Sequence, residues 1–153
     1  MREIILIKNG ELVLKGLNRN TFEDVLIKNM KKALKDIGEF TFTKSQSTIM
    51  VEPVDPEYDL DDAVDALSKV FGIAALSRAI VAEKDFEDIK AKTLEYLDER
   101  LDEVRTFKVN AKRSDKKFPM KSPEICREVG ACILQNHHHL KVDVHNPELT
   151  VTV

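Results

Sequence analysis

The segment Asp59-Leu60-Asp61-Asp62-Ala63-Val64-Asp65-Ala66-Leu67-Ser68-Lys69-Val70-Phe71-Gly72-Ile73-Ala74-Ala75-Leu76-Ser77-Arg78-Ala79-Ile80-Val81 changes its structural period halfway along. Asp59 is a helix N-cap residue, and Leu60, Ala63, Val64, Leu67 and Phe71 follow at helical spacing. Gly72 ends that helix, and Ile73 to Val81 reads as a strand. A helix running directly into a strand is the second half of a split β-α-β unit. The first half stands upstream. Residues 2 to 8 form a short branched apolar strand. A loop with Gly10 and Gly16 leads into a helix from about Thr21 to Ile37, with Phe22, Val25, Leu26, Met30, Ala33, Leu34 and Ile37 as its apolar stripe. Asn20, three residues before Glu23, is capping-box-like, and Gly38 supplies a stop. Phe40–Lys44 and Thr48–Glu52 alternate around Ser45-Gln46 as a hairpin. The order β-α-β-β-α-β is the ferredoxin-like pattern, so the predicted class is α+β.

A second unit follows. Asp85 is its first N-cap, with Asp88 at the third helical position and Phe86, Ile89, Thr93, Leu97 and Leu101 along one face. Phe107, Val109 and Ala111 then alternate with Lys108, Asn110 and Lys112, giving a strand with one apolar and one polar, basic face. Arg113, Lys116, Lys117, Phe118 and Lys121 follow in a loop. Ser122-Pro123-Glu124 opens a helix as N-cap and N1 proline, carrying Ile125, Val129, Cys132 and Ile133. Two strands flank His145-Asn146-Pro147-Glu148, and Leu149–Val153 alternates to the last residue, so a piece of a longer protein is expected. The expected division is 1–82 and 83–153, with the junction near Val81–Asp85.

At 153 residues, 42% hydrophobic and 33% charged, the chain is an ordinary well-solvated globular protein. Its net charge of −3 averages segments of opposite sign. Glu52 to Ala66 carries only acidic charges, whereas Arg105 to Arg127 sets eight basic residues against Asp115 and Glu124. Helix N-termini and lysine/arginine clusters both favour phosphate, so the second segment points to an RNA backbone. The candidate contacts are Lys108, Lys112, Arg113, Lys116, Lys117, Lys121 and Arg127, with Asn110 and Ser122 as neutral donors. Lys15, Asn18 and Arg19 supply an edge from the first unit. Phe118 either stacks on a base or anchors the loop. The lysine face of the first helix (Lys28, Lys31, Lys32, Lys35) reads as solvated surface.

Other chemistries find little support. Gly10 and Gly16 are six apart, but Leu17 stands where a P-loop needs Lys-Ser/Thr. His137-His138-His139 has no carboxylate or cysteine at a usual ligand offset, and histidines suit a helix C-terminus; no metal is expected. No nucleophile–base pair stands at diagnostic spacing, so no catalytic residue is assigned. Cys126 and Cys132, six apart on one helix, are too far apart for a disulfide and read as packing residues. Neither a signal-like N-terminus nor a membrane-length apolar run is present, and a soluble cytoplasmic protein is expected.

Gly10-Glu11-Leu12-Val13-Leu14-Lys15-Gly16, Asn18-Arg19 and Phe22-Glu23 resemble the N-terminal motif of the tRNA 4-thiouridine synthetase family (ThiI, the tRNA sulfurtransferases). Phe107-Lys108-Val109, Lys112-Arg113, Asp115-Lys116, Phe118-Pro119, Ser122-Pro123-Glu124, Arg127-Glu128-Val129-Gly130, Val142-Asp143 and Asn146-Pro147 resemble that family's THUMP domain. The resemblance spans essentially the whole chain. It implies a ferredoxin-like domain and a THUMP domain that together hold tRNA, including its acceptor end. In such proteins a following PP-loop domain uses ATP and Mg to activate uridine 8, a cysteine desulfurase or other donor supplies sulfur, and a link to thiamine thiazole synthesis exists. This chain has no Ser-Gly-Gly-x-Asp loop, so it corresponds to the substrate-holding part, without cofactor of its own. A homodimer stays open. The rival readings are the RNA-binding part of a THUMP-containing methyltransferase, pseudouridine synthase or deaminase, and a ferredoxin-like interaction module without RNA.

Overall fold

The computed structural model describes residues 2–9, 19–45 and 48–153, without the side chains of Asn9 and Arg19. The loop containing Gly10 and Gly16, with Lys15 and Asn18, lies outside the described residues, and so does the Arg19 side chain. The chain divides into two compact units, Met1–Val81 and Ala82–Val153.

The first unit runs β1 (Glu3–Asn9), α1 (Arg19–Leu34), β2 (Phe40–Ser45), β3 (Thr48–Pro53), α2 (Leu60–Ser68) and β4 (Ile73–Ile80). Its strands form one sheet in the order β2-β3-β1-β4, antiparallel throughout. This is the ferredoxin-like arrangement, in which each crossover helix returns the chain past one intervening strand. Strand alternation turns Ile5 and Ile7 to the same face as Val51 and Ile49, and these four pack with Leu26, Met30 and Leu34 of α1 and Leu60, Ala63 and Leu67 of α2. Arg78 sits opposite Ile5 on β4, bonded to Glu3 across the sheet and to Asp61 on α2. Two carboxylates beside it hold its guanidinium firmly protonated.

Several local expectations are corrected. Helix α1 begins at Arg19, so Asn20 is its second residue rather than its cap. Its buried positions Leu26, Met30 and Leu34 recur every four residues, which leaves Val25 at the solvent edge, 50% exposed. The helix stops at Leu34, and Ile37 reaches the core from the following turn. Gly38 is needed for a different reason from a left-handed stop: a Cβ there would lie 2.4 Å from the Tyr58 ring. Asp59 does cap α2, accepting from the Asp61 N–H at 2.8 Å. That helix ends at Ser68, so extrapolating its period fails beyond it and Phe71 is 93% exposed. Gly72 takes φ +100°, the left-handed region that L side chains avoid, and a Cβ there would lie 2.8 Å from the Phe22 ring.

The second unit contains α3 (Phe86–Glu103), β5 (Thr106–Asn110), α4 (Ser122–Asn136), β6 (Lys141–Val142) and β7 (Leu149–Thr152). β5 is the central strand, with β6 and β7 parallel to it on either side. The two strands around His145 therefore do not pair with each other. Phe107 is the fully buried centre of a core made with Leu101, Ile125, Val129, Ile133, Leu140 and Val151. Asp85 occupies the N-cap position of α3 but makes no side-chain cap bond. Asp88 acts instead, accepting from the Glu83 N–H at 2.7 Å while pairing with Lys92 at 2.8 Å, and both interactions lower its pKa. Cys126 and Cys132 are free and half-buried on α4, and burial pushes the Cys132 thiol up, away from nucleophile chemistry.

Candidate nucleic-acid interface

β5 buries Phe107 against the helices, so its alternate residues Thr106, Lys108 and Asn110 point to the opposite face. Strand register extends that face sideways. Thr106 stands opposite Lys141 on β6, Lys108 opposite Thr150 and Asn110 opposite Thr152 on β7. The result is one face of a three-stranded sheet carrying two lysines, an asparagine and three threonines. Lys141, Thr150 and Thr152 were not among the sequence candidates. Their signal was the alternation in Leu149–Val153, which places the threonines on the polar face once β7 is known to pair with β5.

Beyond β5 the chain passes through Lys112, whose N–H donates to the Val153 carbonyl at 3.0 Å, into the basic loop. Arg113 fixes this loop from inside. Its backbone N–H donates to Ser122 Oγ at 3.1 Å, and its guanidinium Nη1 donates to the Phe118 carbonyl at 3.1 Å. Phe118 and Met120 pack on the second core, so the aromatic ring anchors the loop rather than offering itself to a base. Asp115 makes a local turn, accepting from the Lys117 N–H at 3.0 Å and pairing with Lys84 at 3.0 Å. Those two interactions hold the Asp115 carboxyl below the usual carboxylate range.

The sequence candidates thus separate into two groups. Lys116, Lys117 and Lys121 are exposed and Lys108 half-exposed, with no ion-pair partner among the described residues. Arg127 is exposed beside Glu128 at 3.7 Å, a separation at which a surface pair is weak. Lys112 and Asn110 are exposed at the edge of the same sheet face. Arg113 and Ser122, in contrast, brace the loop, through the Arg113 N–H on Ser122 Oγ and Arg113 Nη1 on the Phe118 carbonyl. The expectation of Ser122 as N-cap is corrected: Lys121 takes that position, and α4 starts with no side-chain cap. Its leading N–H groups therefore stay available to an anion. Of the first unit's candidates, Lys15 and Asn18 lie outside the described residues.

The histidine run holds a surprise of geometry. His137 is buried, and its Nδ1 lies 3.0 Å from Asp102 and its Nε2 3.5 Å from Asp98. The carboxylates come from α3, far away in sequence, which is why offsets along the chain missed them.

The comparisons with known proteins follow this architecture. Residues 4–77 match the model of the ThiI ferredoxin-like domain and residues 83–153 that of the THUMP domain. The chain belongs to the ThiI family. It is 44% identical to a probable tRNA sulfurtransferase of Acetivibrio thermocellus, covering 100% of this chain and 40% of that protein. A similar protein of Alkaliphilus metalliredigens is 41% identical, with 100% and 39% covered. Among solved structures, a 4-thiouridine synthetase in complex with RNA and with bound ATP superposes with a TM-score of 0.82 at 33% identity, covering 100% of this chain and 38% of that one. The protein PH1313 of Pyrococcus horikoshii gives 0.79 at 28%, covering 98% and 50%. TrmN of Thermus thermophilus shares the fold alone, at 17% identity and a TM-score of 0.62. This member of the ThiI family spans about 40% of the length of its curated relatives. No helix among its described residues is long and apolar enough to cross a membrane.

Proposed function

We propose that this chain is the tRNA-holding region of a tRNA sulfurtransferase that forms 4-thiouridine, with the open face of the β6-β5-β7 sheet and the adjoining basic loop lying against the acceptor end. One observation carries the reading: Lys108 on β5, and Lys116, Lys117 and Lys121 on the loop fixed from inside by Arg113 and Phe118, have no ion-pair partner among the described residues. Flexible surface lysines solvate a protein anywhere, whereas lysines on a braced loop beside a hydroxyl-rich sheet are prearranged for phosphates and ribose hydroxyls. Lys112, Lys141, Arg127, Asn110, Thr150 and Thr152 extend the same surface, and Arg113 and Ser122 support it. Lys15, Asn18 and Arg19 add an edge from the first unit.

In this reading, ATP and Mg act in a catalytic domain outside this sequence, and a cysteine desulfurase or another donor brings the sulfur to it in the cytoplasm. The ThiI ferredoxin-like match over residues 4–77 favours thiolation over the other THUMP chemistries.

The salt dependence of tRNA binding tests the interface. Each neutralised phosphate releases counterions, so log affinity falls against log salt with a slope of roughly 0.7–0.9 per contact. Four to six contacts give a slope of about 3 to 5 in fluorescence anisotropy with labelled tRNA. A slope near zero, or affinity unchanged between low and physiological salt, contradicts the proposal.

A further inference from the structure

The cluster at the C-terminal end of α3 includes none of the residues proposed above to contact RNA, and its chemistry is of another kind. Asp102 from α3, His137 from the end of α4 and His139 from the following turn each present a donor atom, all within 4.8 Å of one another. We propose that these three residues bind a divalent transition metal of the zinc class, with Asp98 as the carboxylate that orients His137.

The donor set suits such an ion: two imidazoles and a carboxylate, with a fourth tetrahedral position left to water. In a tetrahedral zinc site with bonds of about 2.0–2.1 Å, neighbouring ligand atoms lie roughly 3.3 Å apart. His137 Nδ1 and Asp102 Oδ1 are already 3.0 Å apart, so that edge needs only a slight opening. Histidine ligands are usually held at their other ring nitrogen by a carboxylate or a backbone carbonyl. Backbone carbonyls hold His139 in this way, and a carboxylate stands near the other nitrogen of His137. His137 Nε2 faces Asp98 at 3.5 Å. His139 Nε2–H is aimed at the carbonyls of Leu101 and Val104, at 3.0 and 3.1 Å, which leaves Nδ1 as the basic nitrogen of the neutral ring.

Burial and charge add to this. His137 is only 6% exposed, so the fold immobilises one ligand, the two backbone carbonyls hold the exposed His139 ring, and exposed Asp102 can close on an ion by side-chain rotation. Asp98 and Asp102 lie one turn apart on the same helix face, with Glu99 and Glu103 beside them in sequence. The negative end of the α3 dipole falls at the same place, and both effects favour a cation. A bound ion would tie α3 to the α4–β6 turn and stabilise the second unit in proportion to its occupancy.

The test uses the full chain, stripped with a chelator and titrated with Zn2+ and, separately, Co2+. The expected result is uptake of one equivalent, a raised melting temperature, and a tetrahedral Co2+ spectrum without thiolate charge-transfer bands. Asp102→Asn and His139→Ala, both on exposed side chains, should each weaken binding about tenfold or more, and Asp98→Asn by 10–100-fold. His138→Ala and His145→Ala should leave it unchanged. No stoichiometric uptake overturns the proposal. So does a thiolate band, which would place the ion at Cys126 or Cys132, and so does full affinity in folded His139→Ala. The Co2+ spectrum is read on the native chain, so the conclusion does not hang on any variant folding.

Discussion

Replacing Lys116 and Lys117 by glutamate is expected to weaken tRNA binding by at least about tenfold and to lower the salt slope by roughly 1.4 to 1.8 for two lost contacts. Both side chains are exposed, and neither has an ion-pair partner among the described residues. Reversal therefore breaks nothing in the fold while turning two attractions into repulsions. The loop keeps its shape because its anchors lie elsewhere, in the Arg113 bonds and in Phe118 on the core. Arg113 is the wrong residue for this experiment. Its removal frees the loop, and weakened binding would then report disorder rather than a lost phosphate contact. Lys31→Glu with Lys35→Glu on α1 serves as the comparison and should cost much less. The loss should also be similar for different tRNAs, because phosphate contacts carry little sequence information. Anisotropy titrations at several salt concentrations measure all of this. Equal losses from the two pairs, with circular dichroism unchanged, would place the RNA on another face.

Phe107→Ala is expected to destabilise the second unit by about 3–5 kcal/mol, the usual cost of emptying a buried phenylalanine site. The ring is 0% exposed, on the central strand of a three-stranded sheet, and packs among residues from α3, α4 and β7. The small sheet offers few neighbours able to close the cavity. A domain's whole stability is about 5–15 kcal/mol, so such a change uses up much of it. The first unit has a separate core around Ile5, Ile7 and Met30 and should keep its own transition. Urea unfolding followed by circular dichroism should therefore show one transition moved to lower denaturant and one in place. A uniform shift of a single transition would mean that the two units unfold together.

How much of this was legible in the sequence depends on the range of the interaction involved. The split β-α-β order and the Asp59 cap follow from local periods and local hydrogen bonds, and the structure reproduces both. Phe71 was misplaced because periodicity says which face a residue takes only while the helix lasts, and α2 stops three residues earlier. Ser122 and Arg113 have the right chemistry for phosphate, but their roles depend on each other across nine positions, and that pairing holds the loop instead. Lys141, Thr150 and Thr152 became part of the face only through strand register. The Asp98–Asp102 pair meets His137 across 35 residues or more, with no mark in the sequence except its own four-residue spacing on α3.

The central claim is that RNA lies on the open face of the β6-β5-β7 sheet and on the loop beside it. Backbone amide chemical shifts of the 15N-labelled chain, followed while an acceptor-stem RNA ending in its single-stranded 3′ tail is added, test this most directly. The account predicts that the largest changes fall at Lys108, Asn110, Lys112, Lys116, Lys117, Lys121, Lys141, Thr150 and Thr152, with α3 little affected. Changes concentrated on the α1 lysine face or on α3, with β5 and its loop unmoved, would contradict it.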